Sequence, residues 1–159
     1  MTLKTADICD QQENKVKIAL PIFKSFGQKK SFGGEIVTVK VFEDNVLVKE
    51  MLGKNGKGKV LVVDGGGSLR CALMGDNLAK MVLDNEWEGV LIYGCIRDSA
   101  DIDKMEVGVK ALNTIPFKSR KGGNGEVDVA VTFAEVSFKP GEFVYADEDG
   151  VIVADGKLQ

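Results

Sequence analysis

The sequence contains no histidine, so the side chain that most often transfers protons near neutral pH is absent. It has only three cysteines, Cys9, Cys71 and Cys95, which form no CxxC pair and no spacing typical of a metal site. Without histidine and paired thiols, a zinc centre is disfavoured. The ligands left for a metal are the oxygens of Asp and Glu, which suit Mg²⁺ or Mn²⁺.

Long apolar segments are also missing. No apolar run approaches the roughly 20 residues that cross a bilayer, and the N-terminal segment MTLKTADICDQQENK lacks the apolar stretch of a secretion signal. Together with the odd number of cysteines, this predicts a cytoplasmic protein with free thiols and no membrane association. The net charge of −3 disfavours direct binding of nucleic acid, so a partner in RNA metabolism would be a protein.

The composition is that of an ordinary globular protein. The 159 residues are 44% apolar and 28% charged, and this length suits one domain with its own hydrophobic core. No internal repeat or linker divides the sequence, so residues 1–159 are predicted to form a single domain. Nineteen glycines, many for this length, predict numerous tight turns.

Apolar periodicity predicts a mixed α/β fold. Helices are predicted over residues 5–10, with Thr5 as the cap, over 43–53, with Asp44 as the cap, and over 75–87. Strands are predicted over 33–42, 59–67, 89–95 and 111–117, then over 127–138 as one long half-exposed strand, and in a hairpin of 143–147 with 150–155. The close spacing of the last strands predicts that part of the sheet is antiparallel.

Several short motifs are better explained as turns than as binding sites. GKNGKGKV (53–60) nearly matches a phosphate loop, but it lacks the final Ser or Thr and follows a helix instead of a strand. DGGGSLR (64–70) lacks GxGxxG, and YADEDGV (145–151) has its glycine at the wrong place for a calcium loop. The basic KSRKGG (118–123) is predicted to be a solvated loop, and Trp87 is predicted to pack in the core.

One segment carries a chemical pattern, GDNLAKMVLDNEWEGVLIYGCIRD (75–98). It places Asp76 at a predicted helix start, and Arg97 and Asp98 at a predicted strand end. Taken singly, Asp76 is most simply a helix cap, and Arg97 with Asp98 a loop ion pair. Taken together, they can meet in one cleft at the carboxyl end of a strand, where open α/β sheets bind ligands.

The residue types in this segment suit a small organic anion held against a divalent metal. Backbone N–H groups at a helix start favour an anion; here they belong to Gly75, Asp76, Asn77 and Leu78. The Arg97 guanidinium matches a carboxylate, and the carboxylates of Asp76 and Asp98 are hard ligands suited to Mg²⁺ or Mn²⁺.

GDNLA and the twenty residues between Asp76 and Arg97-Asp98 resemble the D-x20-R-D motif of the class II, metal-dependent 4-hydroxy-4-methyl-2-oxoglutarate aldolases. The whole chain is similar to their relatives, the regulator of ribonuclease E activity A (RraA) family, in the blocks SFGGEIVTVKVFEDN, VLVVDGGGSLR, NEWEGVLIYGCIRD and YADEDGVIV. The resemblance implies a swivelling β/β/α fold, a single RraA-like domain and a homotrimer.

For function, the resemblance implies a lyase that cleaves 4-hydroxy-4-methyl-2-oxoglutarate, a small 2-oxo acid, to two pyruvates. Decarboxylation of oxaloacetate, through the same pyruvate enolate, is implied as a second activity. Asp98 would hold the metal directly and Asp76 through water, with Arg97 and Asp76 as the catalytic residues. Residues Gly75 to Leu78, together with Arg97, would bind the substrate.

The same family also implies a different function, that of a non-catalytic regulator that binds ribonuclease E and inhibits its cleavage of RNA. Binding of a metabolite without turnover is a third reading. The aldolases are expected to be longer at the C-terminus and to receive an acidic residue from a neighbouring subunit. No residue of this sequence can be assigned to that role.

Overall fold

A computed structural model describes residues 3–158. Four α-helices are present in this part of the chain: α1 (Thr5–Gln11), α2 (Val46–Leu52), α3 (Asp76–Asp84) and α4 (Ser99–Ile102). The strands are β1 (Val16–Ile18), β2 (Lys24–Phe26), β3 (Phe32–Lys40), β4 (Lys59–Asp64), β5 (Ala72–Met74), β6 (Gly89–Ile96), β7 (Val109–Thr114), β8 (Glu126–Val127), β9 (Val131–Phe133), β10 (Val136–Phe138), β11 (Phe143–Asp147) and β12 (Gly150–Ala154).

Ten of these strands form one mixed sheet with the order β1-β12-β11-β3-β4-β6-β7-β2, in which β5 pairs with β6 and β8 with β3. The central strands β3, β4, β6 and β7 are parallel, and the outer strands are antiparallel. The expected mixed α/β single domain with a partly antiparallel sheet is confirmed. Within residues 3–158, no helix is long and apolar enough to cross a membrane.

The central strands are buried on both faces, which is why their sequences are continuously apolar. In β4, Leu61 and Val63 pack into a cluster that includes residues of α2 and α3. Val60 and Val62, which point to the opposite face, pack into a second cluster with residues of β9 and β10. The predicted packing role of Trp87 is also confirmed, since its side chain is buried and its Nε1 donates to the carbonyl of Lys54 at 3.1 Å.

The prediction of one long strand over 127–138 is wrong. The chain instead forms the short strands β9 and β10, which pair with each other in a separate two-stranded sheet. Ala134 and Glu135 turn the chain between them with positive φ angles of 52° and 65°. Positive φ at both central residues is typical of a tight hairpin turn, usually marked by Asn or Gly. Neither residue occurs here, so the alternating pattern concealed the turn.

The structure also differs from the prediction at two helix starts and in short strands. Thr5 begins α1 but does not cap it; its backbone N–H and its Oγ1 both donate to the Asp147 carboxylate at 2.7 Å. The strand β5 was not predicted, because three residues are too few to show a period. Asp44 is not the cap of α2, whose N-cap is Asn45, but its Oδ1 accepts the Val46 N–H at 3.0 Å.

Candidate functional site

A cavity of about 360 Å³ opens where β5 and β6 end and α3 begins. All the predicted site residues line it: Gly75, Asp76, Asn77, Leu78, Arg97 and Asp98. Residues from α2 and from the segment that follows β7 complete the wall: Asn45, Lys49, Lys118, Ser119 and Lys121. The predicted cleft at the carboxyl end of a strand is therefore present, and it has a second side that the prediction did not contain.

The short strand β5 brings the two halves of the motif together. Ala72 pairs with Cys95 in parallel register, so β5 and β6 end side by side. Just beyond these ends, the N–H of Arg97 donates to the carbonyl of Met74 at 2.9 Å. The chain then runs from β5 through Gly75 directly into α3. This pairing places Arg97 and Asp98 against the start of α3, although twenty residues separate Asp76 from Arg97 in the sequence.

Asp98 contacts the first turn of α3 directly. Its Oδ2 accepts the N–H of Asp76 at 3.0 Å, and an anion is favoured at a helix start because the first N–H groups lack helical partners. A Cβ atom at position 75 would lie only 2.5 Å from this oxygen, so Gly75 is required by the close approach of the carboxylate. Asp98 itself has the left-handed angles φ 58° and ψ 36°, a strained conformation that is common at functional sites.

The two simpler explanations of the motif do not hold. Asp76 is the first residue of α3, not its N-cap, which is Gly75, and its own side chain accepts no N–H group at that helix start among residues 3–158. Arg97 forms no ion pair with Asp98 in the part of the chain that the structure describes, where the salt bridges join Lys29 to Glu88 and Arg70 to Glu43. Its Nη1 instead makes a long hydrogen bond of 3.4 Å to the Pro116 carbonyl.

The start of α3 retains donors for a ligand. Asp98 occupies the N–H of Asp76, whereas the N–H groups of Asn77 and Leu78 have no acceptor among residues 3–158. Both residues line the cavity. Because α3 has nine residues, its aligned peptide dipoles add to the attraction for a negative group at this end.

The two carboxylates of the cavity fit a hydrated divalent cation better than a fully protein-bound metal. Asp76 and Asp98 supply oxygen ligands only. Across residues 3–158 there is no group of three or more His, Cys, Asp or Glu side chains that could hold a metal. Mg²⁺ commonly binds through one or two carboxylates and keeps several waters, whereas zinc needs more protein ligands. The donor set therefore fits Mg²⁺ or Mn²⁺.

Sequence reasoning missed the second wall of the cavity. The basic segment KSRKGG was predicted to be a solvated loop, and all of it except Ser119 is exposed. Lys118 nevertheless forms a parallel bridge with Ala72 of β5, which places the segment along the cavity. Ser119 and Lys121 line it from the same segment. The contacts that place this segment join residues far apart in the chain, such as Ala72 with Lys118 and Asp44 with Gly122, and leave no periodic signal in the sequence.

One buried carboxylate holds this wall in place. Besides the Val46 N–H, Asp44 accepts the N–H groups of Gly122 at 2.7 Å and Gly123 at 2.9 Å through Oδ2. Burial by itself raises the pKa of Asp44, but hydrogen bonds from these backbone groups and from Asn124 outweigh it and hold the pKa below the ordinary aspartate value. The start of α2 and the basic segment are therefore tied together by one ionised side chain.

The model of the family described as RraA-like: Aldolase/RraA matches residues 5–153. A protein of Dechloromonas aromatica (strain RCB), named "Putative 4-hydroxy-4-methyl-2-oxoglutarate aldolase", is 58% identical over 162 residues that cover 99% of each chain. This relative and the chain have nearly the same length, because the match covers nearly the whole of both.

Two solved structures share the fold over nearly the whole chain. A protein of Geobacillus kaustophilus HTA426, described as S-adenosylmethionine:2-dimethylmenaquinone methyltransferase, is 51% identical with a TM-score of 0.96, covering 98% of this chain and 97% of its own. The RNA-processing inhibitor RraA from Thermus thermophilis is 42% identical with a TM-score of 0.95, covering 100% and 96%. These names attach different activities to one fold, so the fold alone does not choose among them.

Proposed function

The chain belongs to the RraA-like Aldolase/RraA family, and on that premise we propose that it is a divalent-metal-dependent lyase. Its substrate would be 4-hydroxy-4-methyl-2-oxoglutarate, which it cleaves to two pyruvates. The observation that carries the proposal is that Asp76, Arg97, Asp98 and the free N–H groups at the start of α3 share one cavity.

The cavity has a group for each part of the reaction. The N–H groups of Asn77 and Leu78 bind the carboxylate next to the 2-oxo group. When the C3–C4 bond breaks, the 4-hydroxyl loses its proton and becomes the carbonyl of one pyruvate, while the other half leaves as an enolate. The Arg97 guanidinium stabilises the enolate oxygen, and a proton added at C3 completes the second pyruvate. Asp76 orients the water that exchanges these protons, since the chain has no histidine.

Asp98 directly, and Asp76 through water, would hold a Mg²⁺ or Mn²⁺, which would polarise the 2-oxo oxygen when bound. Oxaloacetate is expected to react at the same cavity. Its C3–C4 bond breaks with loss of CO₂ and leaves the same enolate, so Arg97 and the amides of α3 act as in the aldol cleavage. Decarboxylation is therefore a second activity of one site.

Pyruvate release from both substrates, with Mg²⁺ or Mn²⁺ present, tests this function. Release is expected to require the metal and to be abolished by EDTA. Asp98→Ala should lose Mn²⁺ binding, measured by calorimetry, together with turnover. Arg97→Ala should keep most Mn²⁺ binding but lose turnover by about 10²–10³-fold, the range for removal of one group that stabilises an oxyanion.

Asp101→Ala is the matched control, since Asp101 is an exposed carboxylate of α4 outside the cavity. It should behave like the unsubstituted protein. Unchanged Mn²⁺ affinity in Asp98→Ala would show that this carboxylate is not a ligand. Full activity in Arg97→Ala would remove Arg97 as the stabilising group, and no metal-dependent release from either substrate would refute the lyase.

A second candidate function is regulation of RNA processing by binding ribonuclease E. The observation that favours it is the 42% identity to the RNA-processing inhibitor RraA over the whole chain. The net charge of −3 suits contact with a basic protein surface rather than with RNA. Inhibition of ribonuclease E cleavage by the purified protein, equal for the unsubstituted chain and Asp98→Ala, would identify a function separate from the lyase site.

A further inference from the structure

Ser119 has a property that the proposed chemistry leaves unexplained. The residue is 6% exposed, and its Oγ is the single buried side-chain oxygen or nitrogen without a hydrogen-bond partner within residues 3–158. A buried hydroxyl without a partner destabilises a protein, so such groups are rare. Because Ser119 lines the cavity of the site, the missing partner is expected to be a ligand.

The pairing of β5 shows where Ser119 lies relative to Arg97. Ala72 pairs with Cys95 of β6 on one edge of β5 and with Lys118 on the other edge. Neighbouring strands are about 4.8 Å apart, so the chain near Ser119 runs roughly 10 Å from the end of β6. Both residues line the same cavity of about 360 Å³, which holds a short carbon chain with an acceptor at each end.

The charged residues that line the cavity indicate that the ligand group beside Ser119 is an anion. The lining residues with a charge are the cations Lys49, Arg97, Lys118 and Lys121 and the anions Asp76 and Asp98. The cavity thus has two positive charges in excess, in a chain whose net charge is −3. None of the three lysines forms an ion pair in the described part of the chain, and Lys121 Nζ makes only a long hydrogen bond of 3.4 Å to Asn45 Oδ1. Surplus positive charge around a cleft attracts anionic ligands.

We infer that Ser119 is a specificity-determining residue that donates a hydrogen bond to the second carboxylate of a dicarboxylic 2-oxo acid. The inference rests on the proposed function, which places the 2-oxo end of the substrate at Arg97 and the start of α3. Lys118 and Lys121 neutralise the second carboxylate from the same segment, and Lys49 does so from α2. This wall selects dicarboxylates over monocarboxylates and takes no part in breaking the bond.

A matched pair of ligands isolates the second carboxylate. 2-Oxoglutarate and 2-oxopentanoate have the same five-carbon chain and the same 2-oxo acid end, but the second has a methyl group where the first has a carboxylate. Neither has the 4-hydroxyl, so neither is cleaved. Calorimetry with Mn²⁺ present is expected to show that the protein binds 2-oxoglutarate at least tenfold more tightly.

Ser119→Ala should weaken 2-oxoglutarate binding about tenfold, as expected for loss of one hydrogen bond to a charged group, and leave 2-oxopentanoate binding unchanged. Its Tm should stay the same or rise, because the substitution removes an unpaired buried hydroxyl. Ser137→Ala, in β10 and outside the cavity, is the control for the serine substitution. A purely structural Ser119 would give the opposite result: a lower Tm and an unchanged preference between the two ligands.

The lysines are tested with charge-matched variants. Lys118→Met/Lys121→Met should lose most of the preference for 2-oxoglutarate, whereas Lys54→Met/Lys139→Met, which removes two exposed lysines outside the cavity, should retain it. The inference is overturned if the unsubstituted protein binds the two ligands equally, or if Ser119→Ala keeps the full preference.

Pyruvate release separates this inference from the proposed function. Lyase activity with a preference that does not depend on Ser119 would overturn the inference and leave the lyase intact. A Ser119-dependent preference without metal-dependent pyruvate release would refute the lyase and leave a dicarboxylate-binding site. Absence of both results would refute both proposals.

Discussion

At the scale of single residues, the candidate site leaves no room for a side chain at position 75, beside Asp98. The Asp98 carboxylate approaches the backbone so closely that a methyl group at position 75 would lie 2.5 Å from Oδ2. Glycine is therefore needed here for space. It is not needed for its backbone conformation, because the φ of −124° at Gly75 is open to any residue. The expected cost of a side chain at this position is displacement of a proposed metal ligand, not backbone strain.

Gly75→Ala is predicted to lower Mn²⁺ affinity and pyruvate release by about 10–100-fold, the range seen when groups that position a metal ligand are changed. The Tm should fall little, because the substitution forces a side chain to move at an open site. Titration with Mn²⁺ and thermal unfolding measure the two effects. Gly156→Ala, where a Cβ would meet nothing within 4 Å, is the control. Unaltered Mn²⁺ affinity in Gly75→Ala would contradict the assigned position of Asp98.

At the scale of elements, the site depends on short segments that are stabilised only by their contacts with other elements. The strand β5 has three residues and is a strand because it pairs with β6 on one edge and bridges to Lys118 on the other. The helix α2 and the basic segment meet at Asp44, which is 4% exposed and accepts backbone N–H groups from both. This carboxylate is expected to stabilise the wall of the cavity only while it is ionised.

The sign of the pH effect follows from the lowered pKa of Asp44 in the folded state. A folded-state pKa below the unfolded value contributes stability above the unfolded pKa, and this stability is lost as the pH falls through the folded value. Asp44→Asn should thus lower the free energy of unfolding at pH 7 by about 1.5–3 kcal/mol, the range for a hydrogen bond to a charged group. The difference should shrink below about pH 4, near the usual aspartate pKa.

Thermal unfolding from pH 7 to pH 2 measures this dependence. Asp84→Asn, an exposed aspartate at the end of α3, should follow the unsubstituted protein at every pH. If Asp44→Asn lost the same amount of stability at pH 2.5 as at pH 7, the ionised state of Asp44 would not be what holds the basic segment in place.

At the scale of the whole molecule, the loops at the carboxyl ends of the parallel strands expose large apolar side chains. Phe42 follows β3, Leu69 follows the β4 loop and Phe117 follows β7, and each is more than half exposed. Apolar groups gathered on one edge of a monomer often mark a protein interface. The same edge carries the candidate site, and Phe117 lies next to the Pro116 carbonyl that accepts from Arg97.

The homotrimer implied by the family resemblance is expected to use this edge. Sedimentation equilibrium should give the mass of three chains, and Phe117→Ser should shift the population toward single chains, because it removes an apolar side chain from the interface. Leu83→Ser, which changes an exposed apolar residue of α3, is the control. A single-chain mass for the unsubstituted protein at all concentrations would refute the trimer. A trimeric Phe117→Ser would show that the interface lies elsewhere.

Much of the fold was readable because its signals are local. The continuous apolar run of residues 60–63 predicted a strand buried on both faces, and the period of α3 predicted a helix with one face in the core. The turn at Ala134 and Glu135 was missed because side-chain identity did not reveal its backbone angles. Strand order was also beyond local reasoning, because pairing between distant strands depends on contacts that no short segment encodes.

For the site, the sequence by itself determined the residue types and one helix-and-strand segment that holds Asp76, Arg97 and Asp98, since the spacing of this motif lies within a contiguous stretch. Only the tertiary structure decided that the carboxylate of Asp98, and not that of Asp76, accepts an N–H group at the start of α3. It also decided that Ser119 and its neighbouring lysines face the same cavity. The physical reason is that these contacts arise from strand pairing on the two edges of β5, and such pairing joins residues without regard to their distance along the chain.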